Sequence, residues 1–311
     1  MTPRRNDYDV TNRIQTTDAG AVESEVLRLF RTLYPSNSEA MARRAFEDLR
    51  ALYAGDFPGY RACDTGYHNL QHVLEVTLAM TRLMDGYERT RAQTPALGVE
   101  LFQLGIVTAL FHDMGYIRRV DDDVAPNGAF YTKTNVSRGA AFLRSYLPTV
   151  GLSGHAEAGA ELIHFTGFEK RVADILIDDP VLRLLGSLLG SADIMAQMAD
   201  RCYLEKCRYR LYAEFVVGGI AEPATPDGRK TVVYSSGDDL VRKTPTFFQG
   251  AVQRLEADLG GAYNFAASHF GGFNLYIHAA AKNVDFAKRL SASNDVSLRR
   301  TPPKSSRVAA N

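Results

Sequence analysis

Histidine is scarce in this 311-residue chain, with only seven, and three of them fall in two compact motifs. The first is Tyr67-His68-Asn69-Leu70-Gln71-His72, where the two imidazoles are four residues apart and project from one face of a helix. The second is Phe111-His112-Asp113-Met114-Gly115-Tyr116, an adjacent imidazole and carboxylate at the end of a strongly apolar run. A third candidate is Asp193, a lone carboxylate between Ala192 and Ile194, whose nearest basic residues in sequence are Arg183 and Arg201. Imidazole and carboxylate donors together suit a divalent cation. A carboxylate in apolar surroundings also needs a partner or a metal to offset its desolvation. Each motif by itself has an ordinary explanation: a core histidine with one hydrogen bond, a chance His-Asp pair, an aspartate bonded to a distant arginine. Their order points to a metal centre: His72, then His112-Asp113 40 residues on (72 to 112), then Asp193 80 residues later (113 to 193).

In this order the chain resembles the HD superfamily of metal-dependent phosphohydrolases. Tyr67-His68-Asn69-x-x-His72 is similar, more narrowly, to the signature of the class I cyclic-nucleotide phosphodiesterases. The likeness spans about residues 60–217, roughly half the chain. It implies an all-α helical bundle in which His72, His112, Asp113 and Asp193 bind one or two divalent ions (Mn, Mg, Fe, Co or Zn), with Asp113 bridging if there are two. It implies that His68 is the general acid for the leaving oxygen, supported by Tyr67 and Asn69. His164 and Glu161 lie where such enzymes often place residues of a second metal site or the pocket wall. The chain departs from the phosphodiesterases in carrying Met114, Gly115 and Tyr116 where they have a further histidine. For their purine-binding glutamine and aromatic clamp it offers only compositional candidates: Gln249, Phe247, Phe248 and Phe273.

The elements that must position these residues read as helices. Apolar residues at helical spacing follow Asp18, follow Ser38 as far as Gly55, and continue through His72 to about Glu88. An apolar helix runs into His112, and two short helices follow. A long one, capped by Asp179 with Pro180 at its first position, carries Asp193 and is expected to break near Gly190. The turn-rich Glu222–Gly228 stretch and a candidate hairpin around Ser236 and Gly237 form an irregular insertion over 219–243. Helices then return to about residue 290. The expected organisation is a loose arm over 1–17, one helical catalytic domain over 18–290 and a disordered tail over 291–311. His155, Glu157 and the Asp121–Asp123 run read as exposed polar groups, and His269 and His278 as packed ones.

Composition excludes several classes. Lys+Arg and Asp+Glu both number 36, so there is no basic excess for general nucleic-acid binding. The longest apolar stretch, Leu101 to Phe111, is too short to span a membrane. Three cysteines, Cys63, Cys202 and Cys207, make no disulfide framework, and no secretory signal is evident at the start, so a reducing cytoplasm is the expected compartment. The expected partner is a small phosphoester of nucleotide type, with a homo-oligomer left open. Two other readings compete: a di-iron HD-type oxygenase, which would need His155 and His164 as ligands, and a sensor that binds metal or nucleotide without turnover.

Overall fold

The computed structural model describes residues 4–91, 94–224, 231–292 and 297–304. Its helices are α1 (Ala19–Leu33), α2 (Ala40–Ala54), α3 (Leu70–Thr90), α4 (Gly98–Phe111), α5 (Asn135–Tyr146), α6 (Ala156–Leu162), α7 (Pro180–Ala199), α8 (Tyr203–Lys206), α9 (Tyr212–Val217), α10 (Gly237–Gln253), α11 (Phe265–His269) and α12 (Leu275–Ser291). Among the described residues there is no strand ladder, only the isolated bridges Tyr8–Gln15 and Tyr60–Arg119. Among the described residues no helix is long and apolar enough to cross a membrane.

The bundle is organised around α3, which packs against α1, α4, α7 and α11, while α12 lies behind α7 and α10. Every residue of α3 from Leu70 to Tyr87 except Glu75 is buried, so its polar groups must be satisfied internally. Thr77 and Thr81 donate their hydroxyls back to the Val73 and Thr77 carbonyls, both at 2.8 Å. α4 is buried from Leu104 to Phe111 and delivers His112 at its carboxyl end. A 3-10 turn over Met114–Tyr116 follows. There Gly115 approaches the start of α5 so closely that a Cβ would lie 1.7 Å from the Asn135 carbonyl oxygen, which is why a side chain is not tolerated where the chain turns Asp113 inward.

Several boundaries differ from expectation. α7 does not break at Gly190; that glycine lets the unbroken helix pass beside the Phe165 carbonyl. The helix stops instead at Asp200, whose carboxylate accepts the Cys202 N–H at 2.7 Å. The expected hairpin is absent, because Ser236 is a helix cap: its hydroxyl accepts the Asp239 N–H and α10 begins at Gly237. Before it, Thr231 and Val233 donate to the Pro223 and Ala221 carbonyls. Of the turn-rich stretch, residues 225–228 lie outside the described residues.

The expected loose arm is packed from residue 4 onward. Asp9 is buried and pairs with Arg82 of α3 at 2.6 Å, and the Thr16 hydroxyl bonds Glu75 at 2.9 Å. Part of the expected disordered tail is also held, since the Thr301 carbonyl accepts from Asn6 and the Arg300 N–H donates to Glu205. Both segments are mostly polar in sequence, and they are held by long-range polar contacts and by Val10, Ile14 and Leu298 packing against the core, which local pattern does not reveal.

The Asp9–Arg82 pair makes a prediction about stability. Burial tends to raise the Asp9 pKa, but the Arg82 guanidinium outweighs it and holds the carboxyl below its usual 3.8. A depressed folded-state pKa stabilises the protein above the unfolded value and loses that contribution as pH falls through the folded one. Asp9→Asn should therefore cost about 2–3 kcal/mol at pH 7, because it leaves a buried arginine short of its counter-charge. The difference from wild type should shrink below about pH 4. Urea unfolding of both proteins at pH 7 and pH 3 checks it; an equal gap at the two pH values contradicts the ion-pair account.

Candidate metal centre

Three helices bring four side chains to one point. His72 comes from the first turn of α3, His112 and Asp113 from the end of α4, and Asp193 from the middle of α7. His72 Nε2 lies 3.2 Å from Asp113 Oδ2 and 3.3 Å from Asp193 Oδ1. His112 Nε2 lies 3.3 Å from Asp113 Oδ2 and 4.0 Å from Asp193 Oδ1. Donors bound at ~2.1 Å to one ion are separated by roughly 3.0 Å in an octahedral shell and 3.4 Å in a tetrahedral one, so this spacing suits a shared cation. His72, His112 and Asp113 are all buried. Two of the converging atoms, His112 Nε2 and Asp113 Oδ2, make no hydrogen bond with any described group.

Tautomer and charge fit the same role. His112 Nδ1 donates to the Ala109 carbonyl at 2.8 Å, which leaves the Nε2 lone pair facing the cluster. Burial depresses the His72 imidazole, but the Asp113 and Asp193 carboxylates beside it outweigh that and lift it to about 10. His112 is raised in the same way, against its burial, by Asp113 and then Asp193. Burial works to raise Asp113, and the flanking imidazoles instead hold it well below the carboxylate range. Two carboxylates and two imidazoles thus form an electron-rich knot that either protons or a divalent cation can neutralise.

His68, one turn before His72, does not join the cluster. Its Nδ1 lies 2.5 Å from Glu214 Oε2, and its ring stacks on Tyr116 at 4.2 Å between centroids with planes 12° apart. The Tyr67 N–H donates to the other oxygen, Glu214 Oε1, at 2.5 Å, so one buried carboxylate fixes both residues. Glu214 sits on α9, just after a π-helical turn over Cys207–Leu211. Sequence reading missed it. The signal was present, a lone carboxylate one residue before Phe215 in an apolar helical run, the same kind that marked Asp193. Tyr67 reaches Gln197 of α7 through its hydroxyl at 3.3 Å. Asn69 caps α3 by accepting the His72 N–H and bonds the Gly66 carbonyl at 2.7 Å.

His164 and Glu161 do not enter the pocket. His164 is buried elsewhere, and Glu161 pairs with Lys170 at 2.9 Å. Their spacing from the His-Asp pair is right, but Glu161 near the end of α6 faces Lys170 and the α5 residue Arg144, and His164 follows on a 3-10 turn over Ile163–Phe165. His155 pairs with Glu100 at 3.2 Å and Glu157 with Arg144 at 2.8 Å, both at the periphery. The ligands a di-iron oxygenase would need are therefore not gathered. The Asp121–Asp123 run is engaged at the surface by Arg119, Tyr131 and Arg61. All three cysteines are free; burial pushes Cys63 up to about 11 and Cys202 and Cys207 up to about 12.

The cluster opens into a cavity of about 420 Å³ that His68, His72, Asp113 and Asp193 line together with Phe168, Tyr234, Phe247, Lys133 and Lys243. Of the aromatic-clamp candidates, Phe247 lines it, Phe248 packs on the core and Phe273 lies elsewhere against His278, which is exposed; Gln249 is exposed and not part of the lining.

No family model matches the chain. No curated protein matches it either. Among solved structures it is similar to the phosphodiesterase domain of the RhoPDE fusion protein from the choanoflagellate Salpingoeca rosetta. The two share 14% identity over 94% of this chain and 96% of that one, with a TM-score of 0.54. At that identity the likeness concerns the fold, and the fold is an all-α, phosphodiesterase-domain-like bundle with a His/His/Asp cluster able to hold a metal ion.

Proposed function

We propose that the protein is a metal-dependent phosphohydrolase acting on a phosphodiester or phosphomonoester of a nucleotide-like molecule. One observation carries this reading: three of the four donors, His72, Asp113 and Asp193, line the same cavity as His68, whose ring Glu214 holds from behind. A metal centre alone would suit a sensor. A carboxylate-backed imidazole beside it suits proton transfer to a leaving group.

His72, His112, Asp113 and Asp193 would hold a divalent ion. Such an ion, when bound, polarises a phosphoryl oxygen and lowers a water's pKa to near neutrality, which supplies the nucleophile. The chain's own part is to place the ester and to protonate what leaves. Glu214 holds His68 Nδ1, so Nε2 is the nitrogen free to donate to the departing oxygen. Tyr116 stacks along the ring and keeps it from rotating away. Lys133 and Lys243 offer positive charge to phosphate oxygens, and Phe168, Tyr234 and Phe247 offer flat apolar surface to a base or other ring. The residues expected for a second ion, His164 and Glu161, do not join this donor set, so one ion is its natural load.

Glu214 gives a prediction here. Glu214→Gln keeps a hydrogen-bonding group but removes the carboxylate that fixes the His68 ring through Nδ1. Turnover should fall by roughly 10–100-fold, less than loss of the imidazole itself, and metal content should not change. A drop in metal content equal to the drop in rate would make Glu214 a structural support only.

The reading as a whole is tested by screening cyclic and linear nucleotides and p-nitrophenyl phosphoesters with each divalent metal. Phosphoester hydrolysis that depends on added metal is the expected result. Metal-loaded protein that binds nucleotide and hydrolyses nothing across the panel overturns hydrolysis in favour of a sensor.

A further inference from the structure

We propose a second ligand site, for a small anion of the phosphate class, in a cavity between the amino-terminal segment, α1, α3 and α11. This cavity of about 450 Å³ shares no lining residue with the metal pocket. Its wall carries four guanidiniums, those of Arg13, Arg28, Arg82 and Arg89, with the His269 imidazole, against one carboxylate, Glu25.

The counter-charges are placed so that the cavity keeps a positive face. Glu25 pairs with Arg28 at 2.7 Å. Asp9 pairs with Arg82 at 2.6 Å, and Asp85 lies 2.7 Å from Arg89 and 2.5 Å from His269 Nδ1. Asp9 and Asp85 are buried and do not line the cavity. Arg13 is exposed and has no carboxylate partner among the described residues.

Arg82 forms the buried part of the wall. Its side chain is 2% exposed, Nη1 donates to the Tyr276 hydroxyl at 2.9 Å and Nη2 to Asp9, and buried Nε has no acceptor among the described residues. A guanidinium held by two hydrogen bonds presents a fixed positive charge in the cavity wall. Planar guanidinium forks match the oxygens of a phosphate group, and several aimed at one volume suit an anion that accepts on many sides. The cavity exceeds the size of bare phosphate, and Ile14 and Phe270 supply apolar wall for the remainder of a phosphorylated small molecule. α3 carries both Arg82 and His72, ten residues and hence ~15 Å apart along its axis, so occupancy of the two sites can be told apart.

The test uses metal-free full-length protein titrated with inorganic phosphate, with ionic strength held constant by chloride. Calorimetric binding is expected, together with a melting temperature that rises with phosphate concentration. Arg13→Ala combined with Arg28→Ala, two solvent-facing side chains, should weaken binding by at least about 10-fold. His72→Ala should bind phosphate as wild type does. The proposal is overturned if wild type binds no phosphate, if the double variant binds it undiminished, or if His72→Ala abolishes binding, which would place the anion at the metal centre.

Discussion

Asp113→Ala is expected to lose bound metal and phosphoester turnover together. Asp113 Oδ2 is the one carboxylate oxygen within 3.3 Å of both imidazole nitrogens, at 3.2 Å from His72 and 3.3 Å from His112, so its removal takes away the donor the others surround. It also takes one of the two negative charges that balance a divalent ion. The loss of metal affinity should exceed the ~10–100-fold that follows from losing a mere outer-shell partner. Turnover should fall to background. Apo stability should fall as well, because the imidazoles hold Asp113 ionised and its removal leaves them short of a counter-charge; the metal-free variant is expected to melt below the metal-free wild type. Metal content by elemental analysis, and the metal-induced rise in melting temperature, give readouts that do not depend on knowing the substrate. A purified Asp113→Ala protein that keeps both its metal and its activity would falsify the assignment of this cluster.

The second large effect separates His68 from His72, which share a helix face and are indistinguishable by composition. His72 faces two carboxylates, whereas His68 faces Glu214 and Tyr116. His72→Ala should lower metal affinity, with part of the rate restored by excess metal. His68→Ala should leave metal content unchanged and lower the rate by ~10²–10⁴, the usual scale for general acid–base catalysis. That loss should shrink for a p-nitrophenyl ester, whose leaving group needs little protonation. The experiment measures metal content and the rate on good and poor leaving groups for each variant. Equal losses on both leaving groups in His68→Ala would remove the proton-donor role and leave His68 as a substrate-binding residue.

Legibility differed between the ligands and their surroundings. Asp113 and Asp193 could be read because a carboxylate in apolar helix is costly and stands out in one dimension. Glu214 belongs to the same class, yet its partner His68 is 146 residues away, and nothing local pairs them. His164 shows the converse, a residue with suitable spacing that sits on the 3-10 turn after α6, outside the pocket lining. Ser236 was misread because a Ser-Gly step suits both a hairpin and a helix cap, and only the continuation through Leu240 and Val241 into the core decides between them.

The amino-acid sequence by itself determined the helical periodicity, the apolar stripes and the four donors on three helices, because period and burial preference are local properties of the chain. Tertiary structure alone decided what lies across each gap. It set the 3.2–4.0 Å convergence of the donors, the clamp of Glu214 on His68 and Tyr67, and the docking of the amino-terminal segment through Asp9 onto Arg82. Those contacts join residues tens to hundreds of positions apart. They depend on how α3, α4, α7 and α9 pack, a geometry set by side-chain volumes summed over the whole core and not by any one segment.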